Sequence, residues 1–245
     1  MFELPSTQFH QVLPLFNEDR PNSTMVFSTL EGRTPGAVYV NSIDNPTACL
    51  VTINFHHLTF LGGRVDQQWL NKAVDELRRT QDVNLAWSPQ IANGLEPPSP
   101  PIAEIDRFEF YDCIFDASWQ LPEGHHLQTI DNKLLGRCVW RDETLLAFGS
   151  AENFLRYGQG LCLMVNDEIC CETYAVFEGA GKIEIGVVTH DNHLKQGYAY
   201  MTCKHLIKQC EERGFPTYWS CHQDNAASVA TARKLGYRTQ KAYKF

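Results

Sequence analysis

Two segments of this 245-residue chain carry residues whose types and spacing point to chemistry. The first is Glu184-Ile185-Gly186-Val187-Val188-Thr189-His190, followed by Asp191-Asn192-His193-Leu194-Lys195-Gln196-Gly197-Tyr198-Ala199. A strand pattern runs into a loop whose Gly197 opens a helical pattern. Free backbone N–H groups at a helix start bind phosphates, and the helix dipole adds to the attraction. Gly197 lets a ligand come close to the backbone, and the small Ala199 keeps the helix near the strand. The second segment runs from Trp219-Ser220-Cys221-His222 through Asp224-Asn225-Ala226-Ala227-Ser228 to Leu235-Gly236-Tyr237. It predicts a strand, a helix capped by Asp224 or Asn225 and stopped at Gly236, then a further strand.

Other chemistries fit less well. Cys221 beside His222 has the residue types of a nucleophile and its base, but neighbours along a strand point to opposite faces. The pairs His56-His57 and His125-His126 lack a third ligand at recognisable spacing, so no metal site is expected. The nine cysteines contain no Cys-x-x-Cys and read as reduced, mostly buried thiols.

The elements that must position these residues follow from periodicity. Before residue 90, strands are expected at Gly36–Val40, Ala48–Asn54 and Leu58–Leu61, and a helix at Gln67–Arg79 behind an Asp66 cap. Asn93–Pro101 holds four prolines and reads as an exposed loop or linker. After Gly124 the pattern gives a short strand at Leu127–Ile130, helical segments within Leu134–Tyr157, and two strands, Gly160–Val165 and Cys170–Phe177, around a turn. A strand at Lys182–Thr189, a helix at Tyr198–Glu212, a strand at Thr217–Cys221, the capped helix and a last strand at Tyr237–Phe245 complete the order. This is a mixed α/β layer.

Hydrophobic residues make up 43% and charged residues 20%, which excludes disordered, collagen-like and coiled-coil classes. No apolar run approaches a membrane span, and the N-terminus lacks a signal pattern, so a cytoplasmic protein is expected. The net charge of −8 argues against a nucleic-acid partner. It is unevenly placed. Residues 1–181 hold 11 Lys+Arg against 24 Asp+Glu, a net −13; residues 182–245 hold 10 against 5, a net +5.

Taken together, the two segments resemble the GNAT superfamily of acetyl-CoA-dependent N-acetyltransferases. The likeness is strongest to the zwittermicin-resistance type of GNAT acetyltransferase. It rests on Glu184-Ile185-Gly186…Thr189 before the loop and on Trp219…Cys221, Asn225…Ser228 and Leu235-Gly236-Tyr237 after it. Gly36-Ala37-Val38-Tyr39-Val40 and Asn45-Pro46-Thr47-Ala48 also look like that family's N-terminal part. The resemblance implies a central, mixed but mostly antiparallel sheet with flanking helices. It places a GNAT acetyl-CoA-binding domain at 125–245 and an α/β lobe at 1–115, a candidate degenerate GNAT-like copy.

The resemblance also implies roles. The backbone of Val187 and Val188 would pair with the pantetheine arm. Lys195, Gln196, Gly197, Tyr198 and Ala199 would hold the pyrophosphate, with Asn225 and Ser228 along the other side of the CoA. The +5 balance of residues 182–245 suits such a cosubstrate. Glu184 is the first candidate for the general base that frees the amine, with His190 and His222 as runners-up. A backbone N–H of the Glu184 strand would hold the oxyanion.

Two positions depart from the family pattern. Leu194 stands where Arg or Gln usually begins the phosphate loop. Ala232 stands where many members have a tyrosine general acid. The expected function is acetyl transfer from acetyl-CoA to a primary amine of a small molecule, without a covalent enzyme intermediate. The rival is a non-catalytic CoA-binding or regulatory module. The N-terminal region is a candidate for shaping the acceptor pocket or packing a homodimer. The net −13 of residues 1–181 suits a cationic amine such as an aminated antibiotic or a polyamine, but ordinary solubility is the slightly better account of it.

Overall fold

Strands β2 (Gly36–Val40), β3 (Ala48–Ile53) and β4 (Leu58–Gly63) form at the apolar runs expected to be strands. The computed structural model describes residues 1–87, 94–98, 105–114 and 121–244. With β1 (Phe2–Leu4) and β5 (Asn84–Ala86) these strands make a five-stranded sheet, order β1-β2-β3-β4-β5. Helix α1 (Ser23–Leu30) precedes β2, and α2 (Gln67–Leu77) crosses from β4 to β5, which are parallel. The Pro-rich stretch 93–101 lies partly outside the described residues, and its described part, 94–98, belongs to no helix or strand.

The second sheet has seven strands, in the order β12-β6-β11-β10-β9-β8-β7. They are β6 (Asp106–Cys113), β7 (His125–Thr129), β8 (Gln159–Val165), β9 (Glu168–Gly179), β10 (Lys182–Thr189), β11 (Thr217–His222) and β12 (Tyr237–Lys244). Short helices α3 (Asn132–Leu135), α4 (Arg141–Phe148) and α5 (Ala151–Tyr157) fill the helical stretch after β7. Helix α6 (Tyr198–Glu212) crosses from β10 to the parallel β11, and α7 (Ala226–Leu235) follows β11.

The two sheets repeat one plan. In each, three antiparallel pairings lead to a parallel pair joined by a crossover helix: β1 to β4, then α2 and β5; β7 to β10, then α6 and β11. The N-terminal lobe is thus a second copy of the same strand–helix order. The copies are not separate, because β6 inserts between β11 and β12 and pairs antiparallel with both. Sequence reading grouped residues 106–113 with the N-terminal region, yet they complete the C-terminal sheet.

Helix α1 explains how the lobes pack. All eight of its residues are buried, and it touches β3 of one sheet and β9 of the other. A continuous apolar core runs from Leu4 and Phe60 through Phe27 to Phe148 and Phe177. A second core, with Ile183, Leu206, Trp219 and Leu235, sits beneath α6 and α7.

Candidate active site

Strands β10 and β11 pair only at Ile183↔Thr217 and Glu184↔Tyr218, then separate while each runs on to Thr189 and His222. A bulge in β9 accompanies the split. Glu184 faces Phe177 but Ile185 faces Ala175, so Val176 is the extra residue. Such a bulge bends its strand and raises the local twist. Gly186 accommodates the bend, because a Cβ there would lie 2.5 Å from Cγ2 of Val176. The cleft between the diverging strands is a cavity of about 640 Å3. Among the described residues, the edge of β10 that faces β11 has no strand partner from Ile185 to Thr189.

Glu184 lies at the apex of this cleft and lines the cavity. Its carboxylate accepts hydrogen bonds from Tyr218 Oη at 2.7 Å and from Ser220 Oγ at 2.6 Å. Arg107 on β6 donates to Ser220 Oγ at 2.9 Å and to Tyr243 Oη at 2.8 Å. Burial raises the Glu184 pKa above the ordinary carboxylate value, against the hydrogen bonds from Ser220 and Tyr218 and the charge of Arg107. Such a carboxylate is a better proton acceptor near neutral pH than a solvated one.

Helix α6 begins at Gly197, whose φ of +80° suits glycine, and no side chain caps it. A Cβ on Gly197 would meet nothing nearer than Cε of Met201 at 3.9 Å, so space stands open before the helix. The equivalent start of α2 differs. There Asp66 accepts from Trp69 N at 2.8 Å and fills its own N-terminus with a carboxylate. Of the two crossover helices, α2 thus has its start capped by a carboxylate and α6 has not.

The other site residues fall into place unevenly. Val187, Ala199, Asn225 and Ser228 line the cavity, as do Glu184 and His222. Val188 alternates to the other face and is not a lining residue. Lys195, Gln196, Gly197 and Tyr198 form the loop and helix start next to the cavity without being among its lining residues. The Tyr198 ring is turned into the fold, its hydroxyl 2.9 Å from His125 Nε2. Asn225 is the cap of α7, accepting from Ser228 N at 3.0 Å, and Ser228 Oγ accepts from Trp219 Nε1 at 2.9 Å.

His190 is not among the lining residues. Its Nε2 lies 2.6 Å from Oε1 of Glu172, a fully buried carboxylate. Glu172 also accepts from Val139 N, Trp140 N and Tyr174 Oη. Cys221 is buried and His222 exposed, and burial raises the Cys221 thiol pKa, which disfavours a thiolate nucleophile. Ala232 is fully buried in the core beneath α7, whereas its neighbour Thr231 lines the cavity. Leu194 is exposed at the cavity rim.

Sequence reasoning missed Arg107, Tyr218 and Glu172. The signal for Arg107 was the alternation Arg107-Phe108-Glu109-Phe110-Tyr111, in which charged residues share one face of a strand. Among the described residues, no three His, Cys, Asp or Glu gather as a metal site, and no helix is long and apolar enough to cross a membrane.

The chain matches the GNAT acetyltransferase family over residues 13–245 and belongs to that family. It is similar to the protein named "Uncharacterized N-acetyltransferase YdfB" of Bacillus subtilis (strain 168), 23% identical over 98% of this chain and 96% of that relative. Its fold is similar to that of a GCN5-related N-acetyltransferase-like protein from Streptococcus suis 89/1591, with a TM-score of 0.72 and 24% identity, covering 98% of this chain and 97% of that one. It is also similar to that of a tandem GNAT protein from the clavulanic acid biosynthesis pathway, with a TM-score of 0.62 and 10% identity, covering 99% and 97%.

Proposed function

We propose that this protein transfers the acetyl group of acetyl-CoA to a primary amine of a small molecule, by direct attack within a ternary complex. The observation that carries this reading is the end of β10–β11 pairing at Glu184, which leaves a buried carboxylate at the apex of an open strand edge. Acetyl-CoA supplies an activated thioester. Its phosphates would sit before Gly197 with Lys195 and Gln196 beside them, and its pantetheine arm would lie along Val187 and Val188. Asn225 and Ser228 would border the other side.

Glu184 takes the proton from the ammonium, so that the neutral amine can attack the thioester carbonyl. An N–H of β10 holds the developing oxyanion. As the amine nitrogen bonds to the carbonyl carbon and the carbon–sulfur bond breaks, the nitrogen gives up its second proton to the departing sulfur, so the products are the N-acetylamine and CoA as its thiol. His222, at the cavity wall, is the second candidate base; His190 instead supports Glu172 and, through it, the Val139–Trp140 backbone. The domain reading is that residues 125–245, completed by β6, hold the CoA, while the N-terminal lobe closes the acceptor end.

The experiment is thiol release from acetyl-CoA with a panel of amines, with direct titration of acetyl-CoA alongside. Turnover that falls in Glu184→Gln while acetyl-CoA affinity holds supports the reading. Binding without turnover on any amine would favour a CoA-binding module instead.

A further inference from the structure

The cavity does not end at the thioester. Its lining includes the half-buried Phe55 of the N-terminal lobe and Trp140 of the C-terminal lobe, backed by the buried Phe148, Tyr174 and Phe177. The rings are ordered. Trp140 stacks on Tyr174 with centroids 6.0 Å apart and planes at 29°. Phe55 meets Phe177 edge-on at 5.4 Å.

Trp140 is held by its backbone. Val139 N and Trp140 N both donate to the buried Glu172, at 2.7 and 3.2 Å, and Gly186 leaves room for the indole against β10. The ring is half-buried, with one side toward the cavity. Charge is sparse at this end. The acidic lining residues are Glu184 at the apex and Glu143, whose Oε2 lies 3.0 Å from His56 Nε2 across the two lobes. A polycation needs several carboxylates at amine spacing, and this wall does not supply them. A flat apolar body is what fixed aromatic walls recognise.

We infer that the acceptor is an arylalkylamine, its ring between Phe55 and Trp140 and its primary amine directed toward Glu184. This rests on the acetyl-transfer reading above and narrows its substrate class. The net −13 of residues 1–181 then reflects the general surface and not a polyamine site.

The test compares phenethylamine and tryptamine with spermidine and kanamycin as acceptors, in the wild type, Phe55→Ala and Trp140→Ala. Melting temperatures exclude misfolded variants, and Phe55→Ala, at a half-buried position in the 3-10 turn Phe55–His57, serves if Trp140→Ala fails to fold. The expected result is a kcat/KM for the arylalkylamines at least tenfold above that for the polycations. Phe55→Ala raises the phenethylamine KM roughly tenfold, the scale of a lost aromatic contact, with the acetyl-CoA KM unchanged. Preference for spermidine or kanamycin, or an unmoved phenethylamine KM in both variants, overturns the inference and leaves acetyl transfer standing. If no amine turns over, acetyl transfer fails, and calorimetric titration of phenethylamine onto the CoA-saturated protein decides the pocket. Binding that Phe55→Ala weakens supports it, and absence of binding overturns it.

Discussion

A Cβ placed on Gly186 would stand 3.0 Å from Cζ3 of Trp140 and 2.5 Å from Cγ2 of Val176. Strand β10 and the Trp140 ring are therefore fitted closely to each other. Gly186→Ala should push the indole and the bulged valine apart, at about 1–3 kcal/mol of stability, the usual cost of overpacking. A raised acceptor KM together with a lowered melting temperature would match. A variant with both unchanged would show that the contact relaxes freely.

Removing the carboxylate at the cleft apex should damage chemistry more than binding. Glu184→Gln is expected to lower kcat by roughly 100-fold or more, the scale of general-base catalysis, with acetyl-CoA affinity within twofold. A base works in its deprotonated form, so wild-type rate should rise as pH passes through a Glu184 pKa that burial holds above the usual range. That rise should vanish in the variant. Its persistence would move the proton-accepting role to His222.

The helix start at Gly197 should be intolerant of negative charge. Gly197→Glu would bring a carboxylate to the phosphate position and force a side chain into φ +80°. Titration calorimetry should show acetyl-CoA binding abolished in a folded protein. Lys195 is exposed, so Lys195→Ala should cost only on the order of fivefold in affinity, the scale of a surface charge interaction, and the loss should shrink with salt.

Glu109 on β6 sets a pH dependence of stability. It is fully buried and accepts from Asn22 N at 2.6 Å and from Tyr111 Oη. Burial pushes its carboxyl pKa up from 4.5 to about 7. The folded state thus prefers the protonated form. The stability this gives is fully present below pH 4.5 and is lost as pH rises through about 7. Melting curves should show Glu109→Gln flattening that loss, by up to about 3 kcal/mol between pH 5 and pH 8. Parallel pH profiles for the two proteins would contradict it.

Much of the C-terminal half was legible in the residues. The helix Tyr198–Glu212 shows a clean apolar face and a glycine at each end, and Asn225 caps the next helix as its type suggests. Helix α1 was not legible. Ser23–Leu30 is buried on every side, so its sequence has no polar face to reveal a period. Strand β6 was hidden differently. Arg107 is half-buried and Glu109 fully buried, each against a partner more than 80 residues away in sequence. The site divided likewise. Glu184 and the open helix start are local features, while the aromatic wall from Phe55 to Phe177 exists only once the two lobes meet.

The insertion of β6 also governs how the chain can reach its native state. Arg107 bonds Ser220, 113 positions further on. During synthesis β6 emerges early and must wait, its edges unpaired, until the last quarter of the chain appears. Pairings of such long sequence separation close slowly and leave exposed strand edges meanwhile. The five strands of the first sheet all lie within residues 2–86, whereas the seven-stranded sheet is completed only by β11 and β12. Nascent chains stalled before residue 217 should therefore expose an unfilled sheet edge to chaperones.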